Sequence, residues 1–237
     1  MADPGPTLWW GRLPDPEPTV DELERRLPDD ERRRAARFRA AVARHRFVLA
    51  RTMLREVVGG RLEAAPETLV FATGERGKPY LVEPAPRTAL HFNFSHSGQV
   101  AALALASDEV GVDVEALRRV ANADRLARRF YSPAETATVC ALEGEVRDRA
   151  FLRIWTCKEA YLKATGLGVG MALAEVETEP DPRAPPRLLA VSGDRDKAAR
   201  WTLLEAEIPG AVCTVAIRGP AGDLDVRRFL PSGLETV

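Results

Sequence analysis

The sequence is poor in the features that mark several classes of protein, and each shortage narrows the possibilities. No apolar run approaches the roughly 18 residues that a membrane-spanning helix needs, and the N-terminus lacks the pattern of a secretion signal. The three cysteines, Cys140, Cys157 and Cys213, are too scattered for a disulfide framework, which favours a reducing cytoplasm. With the three histidines they form no Cys/His metal pattern. A formal net charge of −1 argues against a nucleic-acid binder.

Lysine is also scarce in this chain. Of the 34 basic residues, only Lys78, Lys158, Lys163 and Lys197 are lysine, so arginine is the default cation. Lysine offers a compact, strongly hydrated ammonium group that a guanidinium group cannot imitate. Lysines must fall somewhere by chance, yet two of them fall within one short helical segment. We therefore consider them candidates for chemistry that requires an ammonium group.

Helical segments and strands follow one another twice along the chain. Its 237 residues suit one large domain, or two small ones that share a core. In the first half, a long helix is predicted from about Glu31 to Val58, closed by two glycines and followed by strands. In the second half, a capping box at Ser132 begins the helices, a helix from about Val146 ends at Gly166, and strands follow. This order predicts an α+β protein and suggests two copies of one unit.

The stretch VGVDVE places two carboxylates side by side. Its valines mark a strand, and side chains two apart in a strand leave the same face. Asp113 and Glu115 therefore repel each other, unless water screens them or a positive group lies between them.

A predicted helix supplies a third carboxylate. In FLRIWTCKEAYLKATG, Glu159 and Lys163 lie one turn apart beside the apolar stripe, and Lys158 flanks the stripe on its other side. An exposed Glu–Lys pair would add only about 0.3–0.5 kcal/mol to helix stability. Three carboxylates from a strand and a helix, accompanied by lysines, instead resemble a Mg²⁺ site that handles a phosphate substrate, because Mg²⁺ prefers oxygen ligands.

Further segments could contact phosphate. In HFNFSHSG, Ser95 and His96 lie where a strand ends in a turn, and such a turn can hold a phosphate group. Adjacent serine and histidine could also suggest a hydrolase, but strand neighbours point to opposite faces and no G-x-S-x-G elbow is present. Lys78, in the turn GERGKPY, is another candidate. Arg46 falls inside the apolar stripe of the long helix and needs an anionic partner, either a ligand or a structural carboxylate. Arg51 projects from a different side of that helix.

Five segments occur in order across residues 76–170, namely GKPY, FNFSHSG, VGVDVE, FYSPAE and WTCKEAYLKATGLGV. Together they resemble the 4′-phosphopantetheinyl transferase family, specifically its larger, monomeric Sfp-type branch, which activates peptide and polyketide synthases. The G-V-D-V-E and W-x-x-K-E-A-Y-x-K blocks are highly specific to that family. The N-terminal third is similar more loosely, through ARFRA and ARHRFVLARTMLR.

The resemblance implies two similar α/β subdomains joined as a pseudo-dimer, 1–108 and 109–237, with coenzyme A in the cleft between them. Carried over residue by residue, Asp113, Glu115 and Glu159 hold Mg²⁺, or Mn²⁺ in its place, against the pyrophosphate of coenzyme A. Lys163 neutralises the bridging phosphates, and Lys158 helps. The residues implied at the 3′-phosphoadenosine end are Arg46 or its alternative Arg51, Lys78, Ser95 and His96.

The implied reaction moves the phosphopantetheine arm of coenzyme A to a serine of an acyl or peptidyl carrier protein. Adenosine 3′,5′-bisphosphate is released, and a base accepts the serine proton. Glu159 could be that base directly, or a metal-bound water could mediate, and the sequence does not decide. Glu159, Lys163 and Asp113 are the predicted catalytic residues.

Carrier proteins of this class tend to be acidic, so a basic segment after the VGVDVE strand is a candidate docking surface. Arg118 and Arg119 lead this segment, and the alternative interpretation is a solvated basic loop. We expect a cytoplasmic monomer that binds neither nucleic acid nor membrane. The type of carrier and the tolerance for acylated coenzyme A stay open.

Two rival functions can be compared with this one. A non-catalytic coenzyme A-binding module would have no need to keep Glu159. A metal-dependent nuclease or phosphohydrolase could use Asp113 and Glu115, but a nucleic-acid substrate would favour a basic surface that the chain lacks. A hydrolase would also consume coenzyme A without a carrier, whereas a transferase should not.

Overall fold

A computed structural model describes residues 5–12, 19–74, 78–84, 89–166 and 173–231. The first half comprises β1 (Thr7–Arg12), α1 (Thr19–Arg25), α2 (Asp29–Ala35), α3 (Ala41–Leu62), β2 (Val70–Thr73), β3 (Pro79–Glu83), β4 (His91–Ser97) and β5 (Val100–Ala106). The second comprises β6 (Val110–Ala116), α4 (Ala123–Phe130), α5 (Pro133–Cys140), α6 (Gly144–Thr165), β7 (Val176–Thr178), β8 (Leu188–Val191), α7 (Arg195–Ala199), β9 (Trp201–Ile208), β10 (Ala211–Arg218) and β11 (Asp225–Arg228). No helix within these ranges is long and apolar enough to cross a bilayer.

Two sheets pack face to face, and a long helix covers the outer side of each. Their strand orders are β11-β1-β5-β4 and β6-β10-β9. Alternate residues such as Ala102, Val112 and Val215 form a core shared by both sheets. On the outer faces, Leu103 lies in the core under α3 and Ala216 in the core under α6. This helix–sheet–sheet–helix arrangement confirms the predicted α+β class.

The two halves repeat one pattern of elements. In each, a strand (β1 or β6) precedes a 22-residue helix (α3 or α6), a 3₁₀ turn, a two-stranded hairpin and an antiparallel pair (β4–β5 or β9–β10). The second strand of that pair bonds to the first strand of the same half. The two sheets therefore have equivalent strand orders, β1-β5-β4 and β6-β10-β9. This internal repeat is the pseudo-dimer expected from the sequence.

The end of the described chain crosses back to the first half. β11 pairs in parallel with β1, and Phe229 lies in the core under α3. Residues 107–109 join the two sheets, and residues 225–228 pair within the first sheet although they lie in the predicted second subdomain, 109–237.

The predicted helix from Glu31 to Val58 is wrong, because two helices occupy this stretch. α2 ends at Ala35 and α3 begins at Ala41. The break lets α2 fold back, so that Glu31 accepts hydrogen bonds from Arg51 and Arg55 of α3. In one continuous helix, Glu31 and Arg51 would lie about 30 Å apart along the axis. The buried ion pair therefore requires the turn.

Candidate active site

Strand β6 presents its two carboxylates to helix α6. The valines of β6 point into the core between the sheets, so Asp113 and Glu115 leave the opposite face, as the strand period predicted. Helix α6 approaches that face very closely, because a Cβ atom on Gly111 would overlap the backbone of Ala160 and Ala164. The glycine therefore sets how near the functional side chains of strand and helix can lie.

Lys163 closes a network that joins the two halves. Its Nζ lies 2.6 Å from Asp113 Oδ1 and 2.9 Å from Ser95 Oγ of β4. The Ser95 hydroxyl donates to Asp113 Oδ1 over 3.0 Å and accepts from the backbone N–H of Val114. Burial raises the pKa of Asp113, and the nearby ammonium group of Lys163 opposes that rise. Three predicted site residues are thus brought together.

Glu115 is held at the edge of the same cleft. Its Oε2 accepts a hydrogen bond of 2.7 Å from Ser97 Oγ and pairs with Arg118 at 3.2 Å. The Glu115 side chain is 18% exposed, while that of Arg118 is 53% exposed. Glu115 therefore lies between the buried site and the solvent, and its ion-pair partner is an exposed arginine of the predicted docking segment.

Glu159 faces these groups from α6 and is almost fully buried. Burial raises its pKa, the negative charges of Asp113 and Glu115 raise it further, and Lys163 acts in the opposite direction. Glu159 Oε1 and Asp113 Oδ2 are buried, and neither has a hydrogen-bond partner among the described residues. Two carboxylate oxygens are thus left without a partner in the described part of the chain.

The three carboxylates have the chemistry of a divalent-cation site, although their side chains are not arranged around one common point. Within the described ranges, no group of three such residues is arranged to hold an ion as it stands; the ammonium group of Lys163 lies on Asp113 instead. A hard cation would engage the unpartnered oxygens of Asp113 and Glu159 and would offset the repulsion that raises the pKa of Glu159. The residues fit such an ion, and the ligand set stays a prediction.

The charges of Lys163 and Arg46 both act on His96. Burial lowers the pKa of His96, and the positive charges of Lys163 and Arg46 lower it further. Arg46 is half-buried and forms no ion pair with any described residue. A half-buried guanidinium group without an ion-pair partner among the described residues is suited to an anionic ligand.

Arg51, the alternative to Arg46, is engaged elsewhere. Its guanidinium group pairs with Glu31 of α2 and lies 5.2 Å from the centre of the Phe71 ring. Hydrogen bonds from Arg55 and Arg51 lower the pKa of Glu31 although burial raises it. The structure therefore corrects the inclusion of Arg51 among the coenzyme A residues, because a buried carboxylate already satisfies it.

The predicted role of Lys158 beside the coenzyme A phosphates is corrected for a similar reason. Its side chain is completely buried, 2.7 Å from Glu135 Oε2 of α5, and it also donates to the carbonyl oxygens of Leu173 and Val176. An ammonium group has three donors, and all three are used inside the second half. The expected contact between Lys158 and the coenzyme A phosphates is wrong. Burial lowers the pKa of Lys158, while Glu135 works against this.

Lys78 ties the two halves together through backbone groups. Its Nζ donates to the carbonyl oxygen of Val110 at 3.0 Å and to that of Ala164, near the C-terminus of α6, at 2.9 Å. Burial lowers the pKa of Lys78. One of its three donors is left for a ligand, so a phosphate contact by Lys78 stays a prediction.

Two family models match the chain side by side. Residues 16–108 match the 4′-phosphopantetheinyl transferase N-terminal family, and residues 109–216 match the 4′-phosphopantetheinyl transferase superfamily. The 4′-phosphopantetheinyl transferase HetI of Nostoc sp. is 37% identical over 211 residues, which cover 89% of this chain and 85% of that protein. The chain belongs to the 4′-phosphopantetheinyl transferase superfamily.

Other members of the superfamily are similar over shorter or more divergent stretches. The phosphopantetheinyl transferase of Thraustochytrium sp. is 31% identical over 87% of this chain and 75% of its own length. The transferase Sfp of Bacillus subtilis is 28% identical over 61% of this chain and 62% of its own length. Holo-[acyl-carrier-protein] synthase of Thermotoga maritima superposes over 47% of this chain and 62% of that one, with a TM-score of 0.36 and 21% identity, a score too low to carry an argument.

This phosphopantetheinyl transferase is an enzyme, and its family uses coenzyme A as substrate, acts on carrier proteins and generally uses a divalent metal. The predicted site residues did not include two further groups beside the site. The Asn93 side chain accepts a hydrogen bond of 2.8 Å from the backbone N–H of Val112, and Ser97 holds Glu115. The alternation that singled out Ser95 also places Asn93 and Ser97 on its face, so the period of two was the available signal.

Proposed function

We propose that Glu159, Lys163 and Asp113 carry out the transfer of phosphopantetheine from coenzyme A to a serine of an acyl or peptidyl carrier protein. The observation that supports this most is the network of Lys163, Asp113 and Ser95 beside the unpartnered oxygen of Glu159. It combines a positive group, a candidate base and buried carboxylate oxygens between the two halves. A simple binding module has no need for that combination.

The proposed step breaks one bond and forms one. The carrier serine oxygen attacks the phosphorus on the pantetheine side of the pyrophosphate, and the bond from this phosphorus to the bridging oxygen breaks. The bridging oxygen leaves with adenosine 3′,5′-bisphosphate, and the serine proton passes to Glu159. Glu159 is the proposed base because it faces Asp113 and Lys163 and its Oε1 has no hydrogen-bond partner among the described residues. Lys163 offsets the charge that develops on the phosphate oxygens.

Asp113, Glu115 and Glu159 are the residues that would hold the divalent ion. We propose Mg²⁺, with Mn²⁺ as an alternative, because all three donors are hard carboxylate oxygens. When bound, the ion supplies positive charge that polarises the pyrophosphate. Within the chain, Ser95 orients Asp113 and Ser97 orients Glu115 by donating hydrogen bonds to them.

The adenosine end of coenzyme A is proposed to lie beside Arg46 and His96. Arg46 has no ion-pair partner in the described part of the chain, and its charge already acts on His96. A 3′-phosphate there would receive the guanidinium group, and the remaining donor of Lys78 could add a further contact.

The carrier protein is proposed to dock beside the end of β6, on a monomeric enzyme. A groove of about 860 Å³ there has a net positive lining with Leu117, 41% exposed, as its apolar member. Its charged residues are four arginines, Arg118, Arg119, Arg147 and Arg149, and two carboxylates, Glu145 and Asp148. An acidic carrier would complement the net positive charge of the groove.

Replacing both Arg118 and Arg119 by glutamate should raise the KM for the carrier and leave the KM for coenzyme A unchanged. Unchanged values for both substrates would refute this docking surface.

Intact-protein mass spectrometry of an apo carrier incubated with the enzyme, coenzyme A and Mg²⁺ tests the proposal. We expect a mass gain of one phosphopantetheine arm that is lost with EDTA and reduced about a hundredfold in Lys163→Ala. Coenzyme A consumed without any carrier would instead indicate a phosphohydrolase. A folded Lys163→Ala enzyme with unchanged kinetics would rule out the proposed role of this lysine.

A further inference from the structure

Arg118 stands between the carboxylate site and the docking groove. Strand β6 ends at Ala116, and the backbone N–H of Leu117 donates to the carbonyl oxygen of Gly210 at 2.9 Å, which fixes the turn out of the strand. From this turn Arg118 reaches back to Glu115 Oε2 at 3.2 Å. Its side chain is more than half exposed and also lines the groove. The guanidinium group thus touches both places.

The two polar partners of Glu115, the hydrogen-bond donor Ser97 and the ion-pair partner Arg118, differ in charge. Ser97 is neutral, so it can orient the carboxylate without opposing a cation nearby. Arg118 carries a full positive charge that neutralises Glu115 and repels a divalent ion brought to the same carboxylate. Arg118 therefore competes with a cation for Glu115, whereas Ser97 supports its binding.

We propose that Arg118 couples metal binding at Glu115 to the docking of an acidic partner. When a divalent cation binds Glu115, the guanidinium group loses its carboxylate and turns to an acidic group on the carrier. Conversely, a carrier that pairs with Arg118 removes the competitor of the metal. The inference rests on the proposed function, since it takes Glu115 as a metal ligand and the groove as the docking surface.

The coupling must be equal in both directions. If the carrier tightens metal binding by some factor, the metal tightens carrier binding by the same factor. An exposed ion pair contributes roughly 0.2–1 kcal/mol, which corresponds to about a 1.5- to 5-fold change in affinity. Arg118 therefore adjusts the order of assembly and does not act as an all-or-none switch.

Binding of Mn²⁺ alone, followed by electron paramagnetic resonance, tests the first half of the coupling without any turnover. Arg118→Gln should bind Mn²⁺ about threefold more tightly than the wild type, and Ser97→Ala should bind it more weakly. Arg119→Gln is the matched control, since it removes the same charge one residue further along and no described residue pairs with Arg119. Equal tightening in both arginine variants, or none in either, would overturn the proposal.

Carrier binding tests the second half. A carrier whose acceptor serine is replaced by alanine should bind the wild type about threefold more tightly with Mn²⁺ than without it, and Arg118→Gln should lose this dependence. A dependence retained in Arg118→Gln would overturn the coupling. Different results would contradict the proposed function. These are that Mn²⁺ does not bind, that Glu115→Gln does not weaken its binding, or that the carrier gains no mass.

Discussion

Arg55 in the first half and Lys158 in the second make the same set of contacts. Each is the fifteenth residue of its 22-residue helix, and each pairs with a glutamate from the preceding helix, Glu31 or Glu135. Each also donates to two backbone carbonyl oxygens at the 3₁₀ turn that follows its helix. The repeat thus uses one buried cation to tie two helices and a turn together. Lys158 has this structural role, and its contacts leave it no donor for coenzyme A.

The residues that follow these cations show where the halves differ. Glu56 and Glu159 are both sixteenth in their helices, but the first half has Gly60 where the second has Lys163. When the strands are aligned on their hairpins, Trp9 and Gly11 of β1 correspond to Asp113 and Glu115 of β6. The first half therefore has an equivalent of one carboxylate of the site and no equivalents of the other two or of the lysine.

Strand β11 covers the corresponding region of the first half. Arg227 lies 5.4 Å from the centre of the Trp9 ring, and the carbonyl oxygen of Phe229 would be 3.1 Å from a Cβ atom on Gly11. The cavity that remains there, of about 560 Å³, is lined in part by Glu56 and Arg61. The comparison teaches that the two halves share their packing, while the candidate chemistry depends on a few positions at which only the second half has the required side chains.

The largest expected effect is a difference in transfer rate between variants of the two equivalent glutamates, Glu159 and Glu56. Glu159→Gln should lower the rate of transfer by roughly 10²–10⁴-fold, because it removes the proposed base. Glu56→Gln, at the same position of the other helix, should retain at least half of the activity. Transfer is measured by mass gain of an apo carrier, with circular dichroism as the check of folding. More than about a tenth of wild-type activity in Glu159→Gln would remove that residue from its proposed role.

The buried cations should differ in what their loss does to stability. Lys158→Met leaves Glu135 buried without its ion-pair partner and should lower the free energy of unfolding by about 3–5 kcal/mol. Arg55→Met should cost only about 1.5–3 kcal/mol, because Arg51 still pairs with Glu31.

Urea unfolding of both variants measures this difference. The double variant Glu135→Gln, Lys158→Met should recover part of the loss, since no uncompensated charge is left. Equal losses for Lys158→Met and Arg55→Met would contradict the idea that Arg51 provides the backup.

Much of the site follows from local periodicity. The period of two placed Asp113 and Glu115 on one face, and the helical turn placed Glu159 beside Lys163; both relations are confirmed as geometry. The end of α6 at Gly166, which has a positive φ of 66°, was also readable, because only glycine adopts that conformation without strain.

The relations that escaped prediction are long-range. A helical wheel places Lys158 beside the apolar stripe, but it cannot show that Glu135 and two carbonyl oxygens of other elements meet its ammonium group. The same holds for Arg51, whose partner Glu31 reaches it only because the chain turns between α2 and α3. The pairing of β11 with β1 joins opposite ends of the chain, and no local pattern encodes it.

A smaller effect is expected where helix and strand touch most closely. Gly111→Ala would press a methyl group into the backbone of α6, and we expect a destabilisation of about 1–3 kcal/mol. Moving α6 also separates Glu159 and Lys163 from Asp113, so transfer should fall about tenfold or more. Thr7 is the aligned residue of β1, and Thr7→Ala provides the matched control, with little expected change in transfer. An active, fully stable Gly111→Ala enzyme would show that the close approach is unimportant.

The smallest expected effect is proton uptake at His96 when a ligand binds. Because burial, Lys163 and Arg46 lower the pKa of His96, the folded state holds fewer protons there than the unfolded chain. This contribution to stability is present above the unfolded pKa of histidine, about 6.5, and is lost as the pH falls. An anion bound beside His96 offsets the positive charges and raises its pKa, so the complex should take up a fraction of a proton. Calorimetric titration with adenosine 3′,5′-bisphosphate at pH 6.5, in two buffers of different ionisation enthalpy, measures this uptake. His96→Asn should abolish it, and an unchanged uptake in that variant would place the phosphate away from His96.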